Sequence, residues 1–130
     1  SDPLLHQLMQ QRVAELQSQA GEAVATQLRR ILPALIDART AVVAEAAARL
    51  GVGVRTLNRR LAAEGTTFAR LRDETRHSMA IQLLRGTRLR AAEIAEKLGY
   101  ANASAFTSAF RRWSGEPPSR WRVPTPAGSP

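Results

Sequence analysis

The chain has 130 residues, 19 of them basic against 11 acidic, for a formal charge of +8. It has no Cys, which excludes a disulfide framework and any Cys-ligated zinc or iron–sulfur site. No run approaches the roughly 20 apolar residues that a membrane helix needs, and 44% hydrophobic with 23% charged residues is the composition of a folded chain.

Taken in order, the apolar residues recur at helical spacing. Leu5, Leu8, Met9, Val13 and Leu16 form a first stripe, with Asp2 as cap and Pro3 in the first turn. Gly21 interrupts it. Val24, Leu28, Ile31, Leu32, Leu35 and Ile36 form a second stripe, which Pro33 is expected to end or kink. Helices are then predicted over Val42–Leu50, Arg55–Glu64, Phe68–Leu84, Ala92–Leu98 and Ala103–Trp113, with a short turn at Ser119–Arg122 after Pro117-Pro118. The Pro-, Gly- and Ser-rich residues 123–130 read as a disordered tail. The predicted class is all-α.

The excess charge is confined to the centre. Residues 1–38 carry a net charge of −1, whereas residues 39–122 hold 16 basic side chains against seven acidic ones. A basic block behind a nearly neutral leader is the footprint of a polyanion-binding surface, and a simply Arg-rich chain is the plainer explanation.

That block repeats itself. Ala47-Ala48-Arg49-Leu50-Gly51 is echoed 48 residues later by Ala95-Glu96-Lys97-Leu98-Gly99. Each is followed by a turn and a second helix with an apolar pair, Leu57 and Leu61 or Phe106 and Phe110, closing on Gly65 or Gly115. Two short helices joined through a Gly turn, with a small Ala where they cross, is the helix-turn-helix plan. In that plan the N-terminal part of the second helix reaches base edges in the major groove. With Leu57 and Leu61 inward, Arg55, Asn58 and Arg59 share the outward face at i, i+3 and i+4, with Thr56 beside them. Arg pairs bidentately with guanine and Asn with adenine; a merely solvated charged face is the alternative. In the second unit Asn102 is the expected N-cap, and Ala103, Ser104, Thr107 and Ser108 face outward. These are short side chains suited to close approach and to methyl or water-mediated contact. Arg49, Arg60, Asn102, Arg111, Arg112, Arg120 and the Pro118–Ser119 helix start are the expected phosphate contacts.

The run from Gly99 to Arg122, with Tyr100, Phe106, Phe110, Gly115, Pro117 and Pro118 in their order and spacing, resembles the C-terminal signature of the AraC/XylS family of bacterial transcription regulators. The stretch from Val42 through Leu84 is similar to that family's first helix-turn-helix and linking helix, so the resemblance covers roughly residues 40–122. It implies a bipartite DNA-binding domain with units at 39–66 and 87–122, bridged by one long helix at 67–86. By position the family's base-reading sites fall on Arg55, Asn58 and Arg59, and on Ala103, Ser104, Thr107 and Ser108. The chain departs from the family at three places: Ser108 stands where Arg or Lys is frequent, Arg90 where Ser or Thr caps a helix, and Trp121 where Tyr is common. The stretch Leu57–Phe68 is similar to the branch with an arabinose-binding-like N-terminal effector domain, which makes residues 1–38 the expected interdomain helices of a longer regulator.

A bridging helix from Thr67 to Arg85 would be about 28 Å long, near the ~34 Å between successive major grooves on one face of B-DNA. One chain could therefore occupy both grooves.

Other constellations carry less. Gly51-x-Gly53 lacks the following Gly-Lys-Ser/Thr of a phosphate loop. His6 and His77 have no metal-ligand spacing, so no metal or cofactor is expected. Glu93 and Glu96 are placed to offset nearby Arg residues, and Trp113 and Trp121 to pack. No Ser-His-Asp set is discernible, so the expected protein is not an enzyme. It is expected to bind promoter or operator duplex DNA in the bacterial cytoplasm, at the nucleoid. RNA polymerase is its expected further partner in the full-length protein, and dimer contacts would run through an N-terminal domain or the leader helices. The rivals are a nonspecific nucleic-acid binder, which would show salt dependence without a preferred sequence, and a helical protein-interaction module.

Overall fold

A computed structural model describes residues 3–10 and 21–122, which contain helices and no strand. The expected tail at 123–130, the cap Asp2, and Val13 and Leu16 of the first stripe lie outside the described residues. Residues 3–10 are helical, with Leu5, Leu8 and Met9 exposed. Six α-helices then follow among the described residues: α1 Val24–Asp37, α2 Val43–Arg49, α3 Val54–Ala63, α4 Phe68–Gly86, α5 Ala91–Leu98 and α6 Ala103–Ser114. A 3₁₀ turn at Pro118–Trp121 closes the series.

α1 departs from expectation at its proline. Pro33 neither ends it nor limits it: the helix runs on to Asp37. An interior Pro costs about 3 kcal/mol, but Leu28, Leu32 and Leu35 are fully buried and Ile36 nearly so. Each such side chain gains about 1.5–3 kcal/mol, so packing wins, and Pro33 itself faces solvent. α1 is part of the packed body. It packs on α2, α3, α4 and α5, and its apolar face joins the same core as both repeats. The boundary expected at residue 38 therefore falls between two helices of one packed body.

The internal repeat is realised in three dimensions. Ala46, Ala47 and Ala95 are buried, α2 packs on α3 and α5 on α6, and the apolar pairs Leu57–Leu61 and Phe106–Phe110 are fully buried. The turns pass through Gly51 at φ +73° and Gly99 at φ +87°, a left-handed backbone that a Cβ would strain.

Between the units runs α4, 19 residues long and about 28 Å by its rise. Thr67 caps it by accepting from the Arg70 N–H at 3.1 Å. Phe68, Leu71, Ala80 and Leu84 bury one side of it, with Met79 and Leu83 packed alongside. At its far end the Thr87 hydroxyl donates to the Leu83 carbonyl and accepts from the Leu89 N–H, while Arg122 donates to the carbonyls of Thr87 and Leu89. The end of the second unit is thus tied back to its start.

α5 begins without the Ser or Thr that its position leads one to expect. Arg90 is only a donor, so Glu93 reaches back instead and accepts from the Arg90 backbone N–H and Nε, both at 3.2 Å. That backbone N–H, helped by the Arg90 side chain, holds the Glu93 carboxyl below its usual value.

Candidate nucleic-acid interface

α3 and α6 are the second helices of the two units, and neither contains an acidic residue. The carboxylates lie elsewhere, and several are occupied. Glu22 pairs with Arg30, Glu45 with Arg49, Glu74 with Arg29, Glu93 with Arg90 and Glu96 with Arg39. These exposed pairs add little stability, but they neutralise Arg29 and Arg30 of α1, Arg39 after it, Arg49 of α2 and Arg90 at the N-cap of α5. Among the described residues the cations of α3 and α6 have no ion-pair partner.

On α3, Arg55, Asn58 and Arg59 are exposed on the face opposite Leu57 and Leu61, and Thr56 is half-buried beside them. Gly53 and Val54 start the helix with no side-chain cap, so the N–H groups of its first turn are not taken up by one. No carboxylate among the described residues lies within ion-pair reach of Arg55, Arg59 or Arg60. A guanidinium without an internal partner keeps all five donors for a guanine edge or a phosphate.

On α6, Ser104 and Ser108 are exposed, and Ala103 and Thr107 are half-buried. Asn102 is the expected N-cap, its Oδ1 accepting from the Ala105 N–H at 2.8 Å. Asn102 is exposed, and its amide NH₂ has no hydrogen-bond partner among the described residues. Arg111 and Arg112 stand exposed in the last turn. The C-terminal 3₁₀ turn narrows one expectation. Pro118 is buried and has no N–H, so it starts the turn, while Ser119 and Arg120 are its exposed residues. Arg49 is engaged by Glu45 at 3.4 Å through Nε alone.

Sequence reasoning passed over a cluster behind α6. His77 of α4 lies 5.3 Å from the Phe110 ring, 5.5 Å from Trp113 and 6.4 Å from Trp121. Beside it Arg76 lies 5.0 Å over the ring of Tyr100. Trp113 and Trp121 do pack, as their placement suggested. The aromatic residues were legible individually, but nothing in their spacing announces the α4 residues that meet them.

Two helix-turn-helix units in tandem on one rigid helix, each presenting an acid-free second helix, define the DNA-binding domain of a transcription regulator. Residues 46–123 match the sequence family described as a helix-turn-helix domain. The chain belongs to the AraC-type helix-turn-helix family of transcription regulators. It is 43% identical over 77 residues to an uncharacterised HTH-type transcriptional regulator of Mycobacterium tuberculosis, spanning 59% of this chain and 22% of that one. Among solved structures it is similar to the transcriptional regulator CdpR of Pseudomonas aeruginosa, with 44% identity and a TM-score of 0.62 over 73% of this chain and 31% of that one. It is also similar to the DNA-binding domain of AdpA, solved in complex with a target DNA, with 26% identity and a TM-score of 0.63 over 78% and 91% of the two chains. Among the described residues no helix is long and apolar enough to cross a membrane.

Proposed function

We propose that this domain reads a bipartite operator, with α3 and α6 in successive major grooves of one duplex. The observation that carries the reading is the outer face of α3: Arg55, Asn58 and Arg59 exposed together, with no carboxylate among the described residues paired to either Arg. Arg55 and Arg59 supply bidentate contacts to guanine, Asn58 to adenine, and Thr56 a methyl or phosphate contact. Ala103, Ser104, Thr107 and Ser108 let α6 approach closely and read by methyl contact or through water. Arg49, Arg60, Asn102, Arg111, Arg112, Ser119 and Arg120 set the register on the phosphates, with Pro118 starting the turn that presents the last two. The bridging helix, about 28 Å long, suits the ~34 Å groove repeat. Within a longer regulator the domain acts without chemistry of its own, at the bacterial nucleoid. Its partners there are RNA polymerase and a second copy of the chain, met through an N-terminal domain or the leader helix.

Selection of duplexes from a random library by the purified chain, at near-physiological salt, tests this. Two enriched blocks about 10 bp apart are the expected result. A single block would confine readout to α3. No enrichment, with binding that fades as salt rises, would replace this reading with a nonspecific binder.

A further inference from the structure

The two units are joined covalently only through the segment that ends α4 and begins α5, so something else must fix the angle of α6 relative to α3. The seam between α4 and the second unit is unusual in its chemistry. Six buried side-chain polar atoms lack a hydrogen-bond partner among the described residues, and four of them lie on this seam: Arg76 Nε, His77 Nε2, Tyr100 OH and Trp121 Nε1. Purely apolar residues in these places would avoid the desolvation that such atoms suffer. The seam is therefore not built for stability alone. It is built from contacts that have a direction, a cation over a ring face and edge-on aromatic pairs, whereas apolar packing has none.

Tyr100 is at the centre of it. It lies in the turn ahead of α6, and its ring is 5.9 Å from Phe106 and 6.3 Å from Trp113, both on that helix. From the other side the Arg76 guanidinium of α4 stacks on it at 5.0 Å. Gly99 leaves room for this, because a Cβ there would meet Arg76 Nη2 at 3.3 Å. Burial pushes the Tyr100 hydroxyl up to about 12 against the pull of the Arg76 charge, so the ring stays neutral beneath the cation. The other polar link to the second unit from the α1 side, Arg39 to Glu96 at 3.1 Å, is solvent-exposed and correspondingly weak.

We infer that Arg76, stacked on Tyr100, is a positioning residue that sets the orientation of α6 on the bridging helix and so fixes the operator spacing the domain accepts. Neither residue stands among the proposed DNA contacts. The inference rests on the bipartite reading proposed above. Inserting one base pair between two boxes displaces the second by about 3.4 Å along the axis and turns it by roughly a tenth of a full turn, which a rigid clamp does not follow.

The test uses the 130-residue chain and a series of duplexes carrying the two selected boxes at their natural spacing and at one base pair more or less. The wild-type chain is expected to lose about tenfold in affinity at either altered spacing, the scale of a mismatched contact. Arg76→Met keeps the bulk of the side chain and removes the cation. It is expected to melt cooperatively at or above the wild-type temperature and to discriminate spacing by less than about threefold. Tyr100→Phe, which keeps the ring, is expected to retain the wild-type spacing profile and to raise the melting temperature. An Arg76→Met protein with the wild-type profile would overturn the inference, and so would one that no longer melts cooperatively, since the residue would then serve stability. A flat profile from the wild-type chain itself would instead sink the bipartite reading, and this inference with it.

Discussion

The Glu64 carboxylate accepts hydrogen bonds from the backbone N–H groups of Val24 and Ala25, at 2.9 Å each, across 40 and 39 positions of sequence. α1 has no side-chain cap of its own, its N-cap being Ala23. The residue that ends α3 thus supplies the cap for α1, with a negative charge at the positive end of the helix dipole. This fastens the end of α3 to the start of α1, whose apolar face lines the core.

Removing that carboxylate leaves two N–H groups without their acceptor. Glu64→Ala is expected to destabilise the domain by about 1–2 kcal/mol, the scale of a lost N-cap, and Glu64→Gln by less, because an amide oxygen still accepts. Urea unfolding of the three proteins checks this. An Ala variant as stable as the wild type would show the contact to be without weight.

Base contacts and phosphate contacts separate by sequence dependence. Arg59→Ala is expected to cost about 1–3 kcal/mol on the selected duplex and to relax preference at one base position. Arg112→Ala is expected to weaken selected and scrambled duplexes alike and to lower the salt slope by about 1. Titrations on both duplexes at several salt concentrations distinguish the two. Equal losses on both duplexes for Arg59→Ala would move that residue to the phosphates.

The repeat, the buried pairs and the outward face of α3 were legible because each is set by local spacing: a period of 3.6 and a Gly at the turn leave Leu57 and Leu61 only one side to occupy. What was not legible depends on distance in the chain. The continuity of α1 through Pro33 follows from a buried face formed with four other helices, and a local rule about Pro cannot weigh that. Glu93 was readable as a partner for a nearby Arg. That it takes over capping from Arg90 needs the geometry of the turn. Arg76 and Tyr100 stand 24 positions apart on different elements, and no periodicity joins them.

Gly51 and Gly99 sit at equivalent turns with φ of +73° and +87°. An Ala at either is expected to cost about 1–2 kcal/mol through the left-handed backbone alone. At Gly51 nothing lies within 4 Å of an added Cβ, while at Gly99 it meets Arg76 at 3.3 Å. Gly99→Ala should therefore show a second effect that Gly51→Ala lacks, a broadened spacing preference on the duplex series. Thermal melts and spacing titrations of both variants check the pair, and an identical spacing profile in the two would separate Gly99 from the Arg76 contact.

His77 gives the domain a specific acid response. Burial among Phe110, Trp113 and Trp121 lowers its pKa from the ordinary 6.5, and Nε2 has no hydrogen-bond partner among the described residues. The unfolded chain then binds more protons than the folded one between 6.5 and the lowered folded value. Stability is unaffected above that window, falls as pH drops through it, and levels off below. Glu22 and Glu93, held low by Arg30 and by the Arg90 N–H respectively, add their own losses only below about 4.5, the ordinary Glu value. A melting-temperature scan from about pH 7.5 to pH 5 therefore isolates the histidine. The wild type is expected to lose stability across that range, and His77→Phe to lose distinctly less. Parallel curves for the two proteins would mean that the proton is taken up elsewhere.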